Sequence, residues 1–153
     1  MKNDEISCDT VEKFQTSLIN ILKRNGYKSK GLTAYKEYPE IVVLITIQNE
    51  SRWQYINVGI QFLNFENEIP KNAYSAHLRS RLDGLLKSFK KEIWEVSDKK
   101  RINETVSTFL NCFENKMVKE LERFNNEGLV KKYFNDKLWE KVLSSPEVRS
   151  YLL

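Results

Sequence analysis

The chain has 153 residues, of which 41% are hydrophobic and 30% are charged, an ordinary composition for a soluble globular protein. This length predicts a single domain, residues 1–153, with room for a real hydrophobic core. No apolar run reaches the roughly 18 residues of a membrane span, and no signal-peptide stretch follows the N-terminus. Cys8 and Cys112 lie far apart and outside any CxxC pattern, which is typical of free thiols in a reducing compartment. We therefore expect a cytoplasmic protein with no membrane contact.

The net charge of +4 is concentrated in one segment. Residues 77–101 carry eight basic and four acidic side chains, whereas residues 1–76 and residues 102–153 are each balanced. One interpretation is a solvated connection between two apolar layers, because charge runs are usually exposed. The other is a surface that faces an anion or an acidic partner.

The first predicted elements are a helix and a strand. Residues 10–25 carry an apolar stripe at helical spacing, with Asp9 placed to cap the start and Gly26 placed to end the helix. Residues 32–38 follow as a predicted edge strand, and short turns on both sides favour antiparallel pairing with its neighbour.

A β-hairpin over residues 41–65 is the strongest pattern in the chain. Residues 41–47 form a β-branched run that is apolar on both faces, which predicts a central strand covered on both sides. The return strand alternates: Ile56 and Val58 belong to the face expected to meet helices, while Asn57 belongs to a polar face. Gly59 inside this strand predicts a bulge or a close approach of another backbone.

The second half of the chain is predicted to be mainly helical. Residues 88–96 are interpreted as a fourth strand, and a long helix capped by Ser97 or Asp98 is predicted to end near Asn125 and Asn126. Two short helices are expected, at residues 129–134 and 139–143, and Ser145-Pro146 predicts the start of a last helical turn. The fold class is therefore α+β: an antiparallel sheet of about four strands, with an N-terminal helix and C-terminal helices on one face.

No strong catalytic or metal-binding motif is present. The chain lacks a Gly-rich phosphate loop, HExxH, paired CxxC motifs and a nucleophile elbow, and its single histidine excludes a multi-histidine metal site. Cys112 lies on or beside an apolar helical stripe and is interpreted as a small buried hydrophobe. We expect no catalytic residues, no metal site and no cofactor.

The candidate binding site is the pattern His77-x-Arg79-x-Arg81. In an extended chain these three side chains point to one face at intervals of about 7 Å, and arginine forks suit a carboxylate or a phosphate. We expect them to form a concave surface with the polar side of the hairpin. The candidate binding residues are His77, Arg79, Arg81, Tyr55, Asn57 and Gln61.

Two other interpretations of this region remain open. In the first, the arginines pair with acidic side chains elsewhere in the fold and the histidine is structural. In the second, aromatic residues interleaved with basic ones stack nucleic-acid bases, although the overall charge is weak for such a protein and no RNP-like signature is present.

Several stretches, taken in order, resemble the bacterial family catalogued as domain of unknown function 4304. They are the helix end Leu22-Lys23-Arg24-Asn25-Gly26-Tyr27-Lys28, then Gln48, Ser51, Tyr55-Ile56-Asn57-Val58-Gly59, His77-x-Arg79-x-Arg81 and Trp94. The resemblance spans roughly residues 10–125. It implies an α+β domain and, through association with small domains of this type, an immunity or toxin-neutralising protein.

We expect a non-enzymatic module that binds a protein partner, which is a toxin or another protein. The most specific version of this expectation is an immunity-type bacterial protein. The alternative is an enzyme or binding protein that acts on an anionic small molecule, such as a phosphate-containing ligand, or on nucleic acid through residues 77–101. The sequence does not fix the oligomeric state.

Overall fold

A computed structural model of the chain describes the backbone of residues 3–133 and 144–152, and the side chains of these residues from Thr10 onward. The elements in chain order are α1 (Asn3–Arg24), β1 (Lys28–Lys30), β2 (Thr33–Glu37), β3 (Ile41–Asn49), β4 (Gln54–Phe62), β5 (Leu78–Arg81), α2 (Leu82–Leu85), α3 (Lys90–Ser97), α4 (Ile102–Cys112), α5 (Val118–Leu121), α6 (Glu127–Tyr133) and α7 (Pro146–Leu152). Two 3₁₀ turns (Ala73–Ser75 and Lys87–Phe89) and a π-helical turn (Phe113–Met117) complete the described elements. The fold is α+β, as predicted.

The sheet is antiparallel, with five strands in the order β1-β2-β3-β4-β5. The predicted central hairpin is confirmed: β3 and β4 pair along their whole length, with Ile45 opposite Val58. Both residues are almost fully buried. They belong to a core cluster that the first sheet face forms with α1, α3, α4 and the later helices, so the predicted helix-facing side of β4 is also confirmed.

The other face of the sheet has a smaller cover. Val42 and Leu44 pack there in a second apolar cluster with Ala73 and Ala76, in the connection between β4 and β5. Residues 41–47 are therefore buried on both faces, as the β-branched run predicted.

The edges of the sheet differ from the prediction. Residues 32–38 were expected to form an edge strand, but β2 lies between β3 and a three-residue strand, β1. β1 carries the short polar sequence Lys28–Lys30, which has no apolar alternation to reveal it. The opposite edge is β5, which contains both candidate arginines.

The strand predicted over residues 88–96 is wrong. This segment is a 3₁₀ turn followed by α3. Ile93 and Val96 are buried three residues apart, which is helical spacing, whereas Trp94 is 51% exposed. The strand interpretation had counted Trp94 among the apolar residues of the segment.

The helix boundaries also differ in part. α1 begins at Asn3, seven residues before the predicted start, so Asp9 lies inside the helix instead of capping it. Its end is as predicted: Gly26 has φ +94°, a conformation that favours glycine. At the other end of the chain, the Ser145 hydroxyl accepts a hydrogen bond from the Val148 amide at 3.2 Å, which confirms the predicted cap of α7.

The single long helix predicted after Ser97 or Asp98 is instead α4, the π-helical turn and α5. Ser97 ends α3, and α4 begins only at Ile102, after a turn in which the Asp98 carboxylate accepts the Lys100 amide. The last of these segments, α5, ends at Leu121, four residues before the predicted end at Asn125 and Asn126. The short helix predicted at 129–134 is found as α6, and the one predicted at 139–143 lies outside the described residues.

A clamp ties the hairpin tip to the start of the helical layer. Trp53 forms an isolated β-bridge with Asp98, and the Lys99 amide donates to the Arg52 carbonyl at 3.0 Å. The buried Asp98 carboxylate also accepts from the Arg52 guanidinium at 3.1 Å. This hydrogen bond is the main reason that the pKa of Asp98 is lowered.

Across residues 3–133 and 144–152, no helix combines the length and the apolarity needed to cross a bilayer.

Candidate functional site

The site begins at Gly59, where another part of the backbone lies against β4. A Cβ placed on Gly59 would lie 2.7 Å from both the Ala73 carbonyl oxygen and the Ala76 Cβ. The 3₁₀ turn at Ala73–Ser75 therefore rests directly on the strand, as the glycine predicted. It is anchored there because the Ala73 amide donates to the buried Thr46 hydroxyl at 2.9 Å.

The register of β5 places the two arginines beside this turn. Arg79 lies opposite Gly59, and Arg81 lies opposite Asn57. Because residues two apart in a strand share a face, both side chains project from the same face as Asn57. This is the juxtaposition that the sequence pattern predicted.

Each arginine is held by an uncharged group. The Arg79 Nη1 donates to the Tyr74 carbonyl oxygen at 3.2 Å, while its Nε is shielded from solvent and has no hydrogen-bond partner in the described part of the chain. The Arg81 guanidinium carbon lies 3.6 Å from the centroid of the Tyr55 ring. A cation–π contact of this kind fixes the direction of a guanidinium without neutralising its charge.

These residues border a cavity of about 640 Å³ at the end of β5, which we call the basic cleft. Its charged lining consists of Arg79, Arg81, Lys87, Lys90 and one carboxylate, Asp83. The polar part of the lining includes Gln48, Asn57 and Tyr74.

The electrostatic balance of the basic cleft is strongly positive. Its four cationic side chains face one carboxylate, and none of the four has an ion pair with any carboxylate among residues 10–133 and 144–152. Burial, followed by Glu50, raises the pKa of Tyr74 at the rim, against smaller opposing effects of Asn57 and Arg81. The cleft therefore carries an excess of positive charge, which favours the approach of negatively charged groups.

The polar amides of the site are already ordered. Asn57 donates from Nδ2 to the Gln48 Oε1 at 3.2 Å, across the β3–β4 pair. The Gln48 Nε2 in turn donates to the Glu50 carboxylate at 2.8 Å, so both amides are held in place by hydrogen bonds within the fold.

Two predicted site residues are engaged elsewhere. The Nδ1 of the buried His77 accepts the Phe62 amide at 2.9 Å, and its Nε2 lies 3.1 Å from a Glu66 carboxylate oxygen. Because Nδ1 is an acceptor here, Nε2 carries the hydrogen toward Glu66. Gln61 donates to the Glu68 carbonyl and accepts the His77 amide. Neither His77 nor Gln61 lines the basic cleft.

Of the six predicted residues, Asn57, Arg79 and Arg81 line the cleft, and the Tyr55 ring contacts the Arg81 guanidinium. Sequence reasoning did not include Lys87 and Lys90 among the candidate residues: Lys90 lies in the segment 88–96 that was interpreted as a strand, and Lys87 lies just before it. Both belong to the basic segment 77–101 that the charge distribution indicated.

Among the described side chains, no group of three or more His, Cys, Asp or Glu residues is arranged to hold a metal ion. The chemistry that the basic cleft supports is binding of an anion by guanidinium and ammonium groups.

A comparison with protein-family models gives a match. A family model described as "Domain of unknown function (DUF4304)" matches residues 18–123. This range contains the central hairpin, β5, α3 and every residue that lines the basic cleft. No curated protein and no solved structure matches the chain.

Proposed function

Because the chain belongs to the DUF4304 family of domains of unknown function, its function has to be inferred from its own side chains, and we propose that it is a non-enzymatic module that binds a protein partner. The basic cleft receives an acidic segment of that partner. The observation that carries this proposal is the set of four cationic side chains that face one carboxylate and have no described ion pair. Placing like charges together is unfavourable unless something negative compensates them.

The state of His77 supports binding over catalysis. It is the only histidine in the chain, and histidine is the residue that most often serves as a general base in enzymes. Both of its ring nitrogens are engaged within the fold, with Phe62 and Glu66. A ligand in the cleft would therefore meet cations and amides, but not this residue as a general base.

The proposal places the protein in the cytoplasm of a bacterium. Cys112 is a free thiol, which suits a reducing compartment. An immunity-type protein, which neutralises a toxin by binding it, is the most specific form of the proposal, and charge complementarity between the basic cleft and an acidic toxin surface would give that binding its specificity. A toxin gene beside the gene for this chain would support that form, and a metabolic operon would count against it.

The direct test is affinity capture from the native cell, read by mass spectrometry. The wild type is compared with Arg79→Ala/Arg81→Ala and with the control Arg24→Ala/Arg123→Ala, which removes the same charge from exposed positions on α1 and after α5. We expect an acidic protein that the wild type and the control retain and the cleft variant loses. Equal retention of the same proteins by all three would contradict the proposal.

A second candidate is a phosphate-containing small molecule, favoured by the concavity of the site. The volume of about 640 Å³ lies within the range of about 300–1,000 Å³ that is common for small-molecule sites. Thermal melts with inorganic phosphate and with ATP test this candidate. Stabilisation that depends on Arg79 and Arg81, with no protein captured, would favour it over the protein partner.

A further inference from the structure

The Trp53–Trp94 pair is an exposed aromatic feature beside the basic cleft. The two ring centroids are 4.9 Å apart, and the Arg52 guanidinium lies 4.8 Å from the centroid of Trp53. Trp94 is 51% exposed, the highest value for any large hydrophobic side chain among the described residues. A monomeric protein gains little from holding two indole rings together at its surface, and such patches commonly mark interaction sites.

The pair is continuous with the basic cleft along two elements. On α3, Trp94 lies four residues after Lys90, so the two side chains are neighbours on one side of the helix. On the sheet, Trp53 is two residues before Tyr55, and strand alternation places both on the face that carries Asn57. One partner can therefore contact the cleft and the pair at the same time.

Charges of both signs lie around the pair, which suits a protein better than a nucleic acid. The segments that carry the two tryptophans hold the accessible carboxylates of Glu50 and Glu95 among the cations Arg52, Lys91, Lys99, Lys100 and Arg101. A nucleic-acid strand carries one negative charge per nucleotide and would meet these carboxylates as it left the cleft. A protein segment can place its acidic residues in the cleft and an uncharged residue on the indole rings.

We propose that the Trp53–Trp94 pair binds a large apolar side chain of the same acidic protein partner whose carboxylates enter the basic cleft. This inference rests on the proposed function and adds a second contact to it. Tryptophan, tyrosine and arginine are the residues most enriched at the energetic centre of protein interfaces, and an indole ring buries a large apolar area. Here the cleft supplies charge recognition and the indole pair supplies the apolar anchor.

The experiment is selection of a phage-displayed library of short random peptides on the purified full chain. Five forms are used: the wild type, Trp94→Ala, Trp94→Gln, Arg79→Ala/Arg81→Ala, and the control Ile69→Ala, which truncates an exposed apolar residue outside the two sites. Two substitutions of Trp94 ensure that the result does not depend on one of them, and circular dichroism verifies that each form is folded. The peptides enriched on the wild type are then synthesised and their dissociation constants measured.

We expect peptides that combine several acidic residues with at least one aromatic or large aliphatic residue. Both Trp94 variants should weaken their binding by about tenfold or more, and selection on these variants should lose the apolar preference while it keeps the acidic one. The Ile69 control should match the wild type.

The remaining outcomes separate the two proposals. Acidic peptides without apolar enrichment, or affinities that Trp94→Ala leaves unchanged, would overturn this inference and leave the basic cleft standing. Failure to enrich any peptide on the wild type, or acidic peptides that bind the double arginine variant equally well, would overturn both. A labelled oligothymidine that binds more tightly than every peptide at equal salt, and loses affinity in Trp94→Ala, would assign the pair to nucleic acid and overturn the inference.

Discussion

The guanidinium of Arg81 lies over the ring of Tyr55, with 3.6 Å between its central carbon and the ring centroid. Arg81 thus keeps its full charge, because an aromatic ring directs a cation without neutralising it. The same is true of Arg79, which donates to a backbone carbonyl. Both arginines are therefore ordered before any ligand arrives, and their contribution to folding should be separable from their contribution to binding.

The first prediction separates these two contributions by thermal unfolding. Arg79→Ala and Arg81→Ala should each change the free energy of unfolding by at most about 1 kcal/mol, because a cation–π contact at an accessible site is worth about 0.5–1 kcal/mol and removing one cation relieves repulsion in the cleft. Added phosphate should raise the melting temperature of the wild type but not of the variants. The control is Arg24→Ala, which should keep the response to phosphate. A large loss of stability in both cleft variants, with no phosphate effect on the wild type, would assign the arginines to structure.

The second prediction concerns the central pair of the sheet. Ile45→Ala should lower the free energy of unfolding by about 2–5 kcal/mol, because Ile45 is fully buried and its removal leaves a cavity opposite Val58. Ile69→Ala, at a residue 39% exposed, is the matched control and should have little effect. Denaturant unfolding measures both. A loss below about 1 kcal/mol for Ile45→Ala would be too small for a buried central strand.

The third prediction uses two glycines with different surroundings. Gly59→Ala would place a Cβ 2.7 Å from the Ala73 carbonyl oxygen, so the turn must shift, and the overpacking should cost about 1–3 kcal/mol. Gly128→Ala meets nothing closer than 3.4 Å, in α6, where alanine favours the helix. It should leave stability unchanged or increase it. Equal effects of the two substitutions in chemical denaturation would show that the turn does not rest on the strand.

These predictions depend on features that the sequence revealed unevenly. The hairpin was predictable because alternation is a local pattern, readable from residues 41–62 alone. The pairing of β5 was partly predictable, since the alternation of Arg79 and Arg81 indicated a shared face. The structural role of His77 was not predictable from the sequence. Its hydrogen-bond partners Phe62 and Glu66 lie 15 and 11 residues away in the chain, and only the fold brings them to it.

The wrong prediction of a strand at α3 also affected the candidate site. A single exposed tryptophan disguised the helical spacing of Ile93 and Val96, because a large aromatic residue is read as part of the core. Once the segment is a helix, Lys90 and Trp94 become neighbours. In a strand, residues four apart lie about 13 Å from each other, so the strand interpretation did not bring Lys90 and Trp94 into contact.

The fourth prediction concerns acid stability. The hydrogen bond from Arg52 lowers the pKa of Asp98 in the folded protein. The ionised Asp98 carboxylate therefore contributes fully to the free energy of unfolding above the ordinary aspartate pKa of about 3.9, and this contribution is lost as the pH falls through the lower pKa of the folded protein. Asp98→Asn should lower the melting temperature near neutral pH, and the difference from the wild type should shrink in strong acid. Glu104→Gln, at an exposed position, is the control. A difference that does not change with pH would mean that the charge of Asp98 has no part in the clamp.

The fifth prediction concerns the thiols. Thiol titration of the unreduced, denatured protein should find two free thiols, those of Cys8 and Cys112. In the native protein Cys112 should react slowly, because burial, followed by Glu92, raises its pKa and so lowers the fraction of reactive thiolate. Cys112→Ser provides the reference for the remaining thiol. A titration that finds no free thiol would contradict both the unpaired state of Cys112 and the proposed reducing compartment.

The clamp between the hairpin tip and Asp98 affects the association rate and the conformational entropy that a partner's binding would cost. The bridge from Trp53 to Asp98, together with the Lys99–Arg52 hydrogen bond, joins the two segments that carry the indole pair. The rings are thus held in place by the backbone and do not have to be gathered by an arriving partner. Such preorganisation reduces the conformational entropy lost on association, so the partner should dock on a nearly rigid template and association should be governed by diffusion and charge.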